Sequence, residues 1–358
     1  MANKFYLDNG FLDIPEVERY ADKHDVNYIL IIGKRQVGKT YGVLKLMLDT
    51  NKTFVLMRRT AKELGLIAKG FNSPFEAIDG YEGRVSLSGS ADDTTMQMSL
   101  LDNTDPDDKH SHNIGLAVAL STVASIRGFN GKPYTDLVYD ECIPESHVYK
   151  IPREDEAFNN AYMTINGNRE LVGMRALRCW LLANSNRLDC AILKALNLTD
   201  VVEKMSVNGE EFRLLKERGI LIFMPTSKEI TDKHKQSAIF RAIGTDNSFA
   251  KMALDNEFSH NDFTDVGREE FNQYKLLCNI DIGLCEGLAL MKHKSRPKLY
   301  VCEQYYFGND VPTYNGQEYG RNKFIKDYPN VRAYYLRGKM KFQNASLKYE
   351  FLAYMKLI

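Results

Sequence analysis

The chain has 358 residues, 44% of them hydrophobic, and its 47 Lys and Arg balance 47 Asp and Glu. That length suggests two domains with a sizeable core, and the neutral balance excludes a uniformly basic coat. No apolar run approaches the roughly 18 residues of a membrane span, the first eight residues lack a secretory apolar region, and the six cysteines are scattered without C-x-x-C spacing, which argues for reduced, buried thiols rather than zinc or disulfides.

Taken in chain order, Tyr28–Ile32 is a short apolar, β-branched run and predicts a buried strand. It leads into Gly33-Lys34-Arg35-Gln36-Val37-Gly38-Lys39-Thr40, which reads G-x-x-x-x-G-K-T, and then into Tyr41–Leu48, whose apolar residues recur at helical spacing. Strand, loop and helix in this order give the phosphate-binding P-loop its structural context. The glycines let backbone N–H groups turn inward, and the helix start adds its positive dipole end. Residues Gly33 to Tyr41 are the expected nucleotide-binding set, with Lys39 reaching the β/γ-phosphates and the Thr40 hydroxyl holding Mg2+. The plain alternative is a glycine-rich turn.

Thr53–Met57 predicts a second strand, ending in Arg58-Arg59. The polar stretch Ser86–His112 predicts a hairpin with an exposed loop; its His110-x-His112 pair has no supporting ligands. Ile114–Leu120 predicts another strand. Leu137-Val138-Tyr139-Asp140-Glu141 is an apolar strand ending in Asp-Glu, a Walker B pattern about 100 residues after the P-loop. Asp140 is the expected Mg2+ ligand with Thr40, and Glu141 the base that orients the attacking water; a surface turn is the alternative. An acidic residue directly after the Walker B Asp marks the additional-strand, catalytic-glutamate class of P-loop NTPases. Asn197-Leu198-Thr199-Asp200 lacks the Lys of an N-K-x-D base-reading motif, so ATP is preferred over GTP. Cys179–Ala183 predicts a strand whose polar end, Asn184-Ser185, is placed to sense the γ-phosphate. Arginines recur at 58, 59, 127, 153, 169, 175 and 178; a group supplied across a subunit interface would stabilise charge on the γ-phosphate.

Strands separated by helical or loop material predict an α/β fold with a mostly parallel sheet. The expected division is an ATPase domain over 1–200, a lid or linker over 201–261, and a small α+β domain over 262–358. That last domain is expected to have strands at Tyr274–Ile282, Gly287–Lys292 and Lys298–Phe307, then a basic tail with a strand and a final helix. Charge is segregated: residues 31–70 hold nine Lys/Arg, 71–110 nine Asp/Glu, and 321–358 nine Lys/Arg. Such basic stretches could touch nucleic acid or be solvated helix faces.

Lys34-Arg35 before the second P-loop glycine, Phe54–Met57 ending in Arg58-Arg59, Ser121–Ser125 leading to Arg127-Gly128 and the Asp140-Glu141 strand, and Leu254-Asp255-Asn256-Glu257-Phe258 together resemble the large terminases, the ATPases of viral genome packaging. The likeness falls nearest the short encapsidation ATPases of small tailed phages with protein-primed linear DNA, and it covers roughly residues 25–260. The resemblance implies an ATP- and Mg2+-dependent motor that moves double-stranded DNA into a procapsid. It implies a homo-oligomeric ring, with five subunits expected, at the portal vertex in the host cytoplasm, with a structural packaging RNA as a further partner. It also implies a trans-acting arginine; since Gly167 stands where the family has an extra arginine, Arg169 ranks first, ahead of Arg153 and Arg175. The C-terminal domain would be RNase H-like. Asp281 and Glu303 are its candidate metal ligands, but without a convincing third carboxylate it is expected to be a vestigial nuclease. Alternatives are a helicase, a DNA-partition ATPase, a nucleotide-gated scaffold without turnover, and a terminase with an active nuclease.

Overall fold

The computed structural model describes residues 2–34, 36–70, 73–89, 95–102, 110–122, 130–144, 151, 153–184, 188, 190–244, 264–282, 287–304 and 311–357. The chain divides into two compact units, Met1–Leu198 with Lys204–His260, and Thr199–Glu203 with Asn261–Ile358.

From the N-terminus the elements run α1 (Ile14–Lys23), β1 (Tyr28–Gly33), α2 (Lys39–Asp49), β2 (Phe54–Arg58), α3 (Ala61–Ala68), β3 (Val85–Ser88), β4 (Thr95–Leu101), β5 (Ser111–Ala119) and β6 (Asp136–Asp140). They continue with α4 (Glu154–Asn166), β7 (Arg178–Asn184), α5 (Ala191–Ala195), α6 (Thr199–Val207), β8 (Phe212–Leu215), β9 (Ile220–Phe223), α7 (Lys228–Lys235) and α8 (Ala238–Ile243). Local signals fix several of these boundaries. Asp13 caps α1 by accepting from the Glu16 N–H, with Pro15 in the first turn. Thr60 and Glu63 form a capping box at α3.

The strands of the first unit make one sheet in the order β3-β4-β5-β2-β6-β7-β1-β9-β8. From β5 to β9 all neighbours are parallel, and antiparallel pairs close both edges. Burial on both faces explains why β1, β2, β6, β7 and β9 read as near-continuous apolar runs rather than alternating ones. Each of the five strands expected in the first 185 residues is present. The sheet places β7 between the P-loop strand β1 and the Asp-Glu strand β6. The expected hairpin in Ser86–His112 is built by β3 and β4 against β5; residues 90–94 and 103–109, including the tip of its expected loop, lie outside the described residues.

One expectation changes here. Residues 212–223, read as part of a connecting segment, form the β8–β9 hairpin, and β9 pairs directly with β1. Ile220-Leu221-Ile222-Phe223 is buried, and with Met224 it makes a run of five apolar residues between Gly219 and Pro225, a strand signal that the reading passed over.

In the second unit, β10 (Tyr274–Asp281), β11 (Leu288–His293) and β12 (Leu299–Glu303) form an antiparallel meander. Next come β13 (Thr313–Asn315), α9 (Glu318–Asp327), α10 (Val331–Leu336), β14 (Met340–Phe342) and α11 (Ala345–Tyr354). The sheet order is β13-β10-β11-β12-β14, with both edge strands parallel to their neighbours. Cys278, Ile280, Leu288, Leu290 and Val301 cover one sheet face and pack with Phe324, Phe351 and Leu352 of the helices. The tail therefore holds two helices before its strand, where a strand and a single final helix were expected. Among the described residues, no helix is long and apolar enough to cross a membrane.

Candidate active site

At the C-terminal end of β1 the chain turns through Gln36 and Gly38, with φ of 60° and 88°. Gly38 precedes α2 in the left-handed conformation that a Cβ would strain. The N-terminal segment packs on this loop: the Leu12 N–H donates to the Val37 carbonyl at 3.2 Å. α1 also approaches α2 closely, since a Cβ on Gly42 would lie 2.5 Å from an Ile14 side-chain carbon.

Lys39 is buried at the loop's mouth. Its ammonium donates to the carbonyls of Gly33 at 3.0 Å and Lys34 at 2.5 Å, and to Asn184 Oδ1 at 3.2 Å. The end of β7 thus meets Lys39 of the G-x-x-x-x-G-K-T loop. The Thr40 hydroxyl donates to Asp140 Oδ1 at 2.9 Å, joining residues 100 positions apart. Lys34 is also buried, and its ammonium bonds the Thr231 hydroxyl on α7. Val37 is buried, Gln36 is exposed, and the Tyr41 hydroxyl donates to Asp79 at 3.1 Å. Burial and Asp79 together raise the Tyr41 phenol above its ordinary pKa.

Asp140 ends β6, and Glu141 follows in a left-handed backbone conformation, φ 56°, uncommon for a residue with a long side chain. The Glu141 N–H donates to Asp140 Oδ1 at 3.1 Å, and the Cys142 N–H to the Leu182 carbonyl at 3.0 Å, so the turn is pinned on both sides. Arg58, at the end of β2, pairs with both carboxylates, 2.9 Å to Asp140 and 3.0 Å to Glu141. The Glu141 side chain is 64% exposed and the Asp140 side chain 5%. The next residue, Arg59, goes the other way. Its buried guanidinium clasps Glu154, the first residue of α4, at 2.7 and 2.9 Å.

The arginine candidates separate by burial. Arg169 is 5% exposed, and its guanidinium donates to the carbonyls of Gly131, Lys132 and Tyr134 ahead of β6. Burial lowers its pKa. Through these bonds Arg169, the first choice made from sequence, braces the loop before β6 within its own subunit. Arg178 is likewise buried, on Glu18 and Asp22. Arg175 is exposed but pairs with Asp22 beside Arg178, at the N-terminal end of β7. Arg153 is exposed, pairs with Glu156 one turn along α4, and lies at the end of the sheet where Arg59 meets Glu154. Arg35, Ser185, Arg127-Gly128 and Leu254–Phe258 lie outside the described residues.

Beside the P-loop opens a cavity of about 980 Å3, with Phe11, Tyr41, Gly42, Ile230, Lys233 and His234 in its wall. Burial, followed by the nearby Lys34 charge, lowers the His234 pKa below the usual histidine value. Sequence reasoning missed Arg58 as partner of both carboxylates, Thr231 as partner of Lys34, and the N-terminal segment as a wall of the site. Alternation along a strand separates Arg58 from Arg59, but it does not say which of them meets β6.

In the second unit Ile280 faces Leu288, and Leu288 faces Glu303. Residues opposite one another share a face, and the next residue along takes the other. Asp281 and Glu303 therefore project from opposite faces of the sheet and do not share a metal. Among the described residues, no group of three His, Cys, Asp or Glu is placed to hold a metal ion.

The fold matches solved structures of two packaging motors. The phi-28 gp11 DNA packaging motor is 17% identical with a TM-score of 0.61, covering 95% of this chain and 97% of that one. The bacteriophage phi-29 viral genome packaging motor assembly is 18% identical with a TM-score of 0.60, covering 96% and 99%. A comparison with curated proteins returned no match. The family model for the podovirus DNA encapsidation protein (Gp16) matches residues 18–305, most of the chain. The chain therefore belongs to the podovirus DNA encapsidation protein family.

Proposed function

We propose that this protein is an ATP-hydrolysing subunit of a homo-oligomeric ring that drives double-stranded DNA into a procapsid at its portal. The observation that carries the reading is the 2.9 Å hydrogen bond from Thr40 to Asp140, with Glu141 next in the chain. A threonine that follows the P-loop lysine and meets the strand-end aspartate is what a nucleotide-bound Mg2+ needs on the protein side. The Arg58 guanidinium resting on Asp140 and Glu141 supports this, since it marks a place already suited to positive charge. Thr40 and Asp140 would hold Mg2+, which neutralises charge on the β- and γ-phosphates when bound.

In this reading the loop N–H groups and the α2 N-terminus bind the phosphates, and the cavity beside Tyr41 receives the nucleoside. Lys39 exchanges its loop carbonyls for the β/γ-phosphates, and Asn184 reports that exchange to β7. Glu141 leaves Arg58, orients the attacking water and accepts its proton. Arg153 takes the trans-acting role first given to Arg169, because among the described residues it is an exposed arginine at the nucleotide end of the sheet. The intervening β7 supports the additional-strand class. For the second unit, a meander with a parallel strand outside its first strand supports an RNase H-like ancestry, and the parting of Asp281 from Glu303 supports a vestigial nuclease.

The test is ATP turnover with and without duplex DNA. Wild type is expected to hydrolyse ATP faster with DNA, and Glu141→Gln to bind ATP while turning it over about 100- to 10,000-fold more slowly. Turnover in Glu141→Gln equal to wild type, or a wild type indifferent to DNA, overturns the reading. Strand unwinding without capsids would favour a helicase instead.

A further inference from the structure

One end of the second unit's sheet concentrates positive charge, and it is the end away from Asp281 and Glu303. The antiparallel meander brings the start of β10, the tip of the β11–β12 hairpin and the start of β14 to the same edge. Lys275 lies directly opposite Lys292 in the ladder, and both are exposed. Like charges facing one another across strands weaken a sheet, so this pairing is not explained by stability. The hairpin tip adds exposed Lys294 and Arg296, and the turn between α10 and β14 adds exposed Arg337 and Lys339.

The cluster is held in shape. His293 Nδ1 accepts from the backbone N–H groups of Ser295 and Arg296, both at 3.1 Å, which fixes the tip. The Leu299 N–H donates to the Lys339 carbonyl at 2.9 Å, which fixes the neighbouring turn against the hairpin. Acid is scarce here. Glu269 is taken by Lys298 at 2.6 Å and by the Tyr274 hydroxyl at 2.9 Å, and Glu270 by Gln273. Among the described residues, none of Lys275, Lys292, Lys294, Arg296, Arg337 and Lys339 has an ion pair.

We propose that this basic end is a contact surface for the phosphate backbone of double-stranded DNA, separate from the ATP site and from the remnant carboxylates. Asp281 lies roughly 20 Å from Lys275 along β10, at ~3.3 Å per residue. Lysine and arginine without interleaved base-reading side chains suit phosphate contact, which positions a duplex without reading its sequence. A cargo that must slide past requires that kind of contact. The inference rests on the reading of DNA as the transported cargo.

The experiment is a titration of full-length protein against a fluorescent random-sequence duplex DNA between about 50 and 200 mM salt. The triple substitution Lys292→Ala, Lys294→Ala, Arg296→Ala is expected to weaken binding at least tenfold at low salt. It should also reduce the slope of log affinity against log salt by about 3, near 0.9 per phosphate lost. The charge-keeping triple Lys292→Arg, Lys294→Arg, Arg296→Lys should bind as wild type does, as should Arg321→Ala, Lys323→Ala, Lys326→Ala on α9. A hairpin triple with wild-type affinity and slope overturns the proposal. So does equal loss in the charge-keeping triple, or a loss seen with duplex RNA and not with DNA. Basal ATP turnover without DNA separates the two readings. Turnover with hairpin-independent DNA binding removes this surface alone; absent turnover removes the ATPase reading while the DNA titration still judges the surface.

Discussion

The two sheets treat the acidic residues at their strand ends in opposite ways. In the first unit Asp140 and Glu141 leave β6 together, and the chain surrounds them with a threonine hydroxyl and an arginine from other strands. In the second, Asp281 and Glu303 end strands on either side of β11 and part to opposite faces. A carboxylate at a strand end is common; a site requires that register and neighbouring cations make several of them converge. The same contrast separates two arginines on either side of α4. Arg153 stands in solvent at the end where carboxylates converge, while Arg169 is enclosed by backbone carbonyls.

The sharpest way to break this contrast is to exchange the fates of those arginines. Arg153→Ala is expected to lower kcat about 1,000-fold or more in the assembled ring, while its melting transition stays within about 0.5 kcal/mol of wild type. Arg169→Met should do the reverse. It leaves several carbonyls without a donor, costing about 3 kcal/mol in denaturant melts, with kcat of the folded protein within a few-fold of wild type. A collapse of kcat in Arg169→Met at full stability would favour Arg169 as the trans-acting arginine.

A smaller effect concerns α7 over the P-loop. Burial and the Lys34 charge disfavour protonated His234, so its folded pKa lies below the ordinary ~6.5 of the unfolded chain. On acidification the unfolded chain takes up the proton first. Stability is therefore full above about pH 6.5 and declines as pH falls through and below that value. His234→Gln should flatten the decline, and an unchanged pH profile would show that this contact is unimportant. The smallest effect is expected from Asp281→Asn and Glu303→Gln. Neither should alter duplex nicking with Mn2+, and nicking abolished by Asp281→Asn would overturn the account of the second sheet.

Much of this was readable before any coordinates. Central strands buried on both faces show up as apolar runs, and the P-loop and Asp140-Glu141 carry their chemistry in adjacent residues. The losses have physical causes. Arg169 sits in Gly167-Asn168-Arg169-Glu170-Leu171, where every neighbour is exposed, so its enclosure depends on carbonyls more than thirty residues away. The β8–β9 hairpin did carry a signal, the five apolar residues Ile220–Met224 between Gly219 and Pro225, but the sequence does not show that they pair with β1 far earlier in the chain. Arg58 was seen as one arginine among many, because the sequence does not show which strands become neighbours.

Arg58 and Arg59 are consecutive, yet one pairs with Asp140 and Glu141 and the other fastens the start of α4. A single-residue insertion or deletion in β2 would swap their faces, presenting each guanidinium to the wrong side of the sheet. Over evolutionary time that strand should accept substitutions in its apolar body while refusing any change in its length.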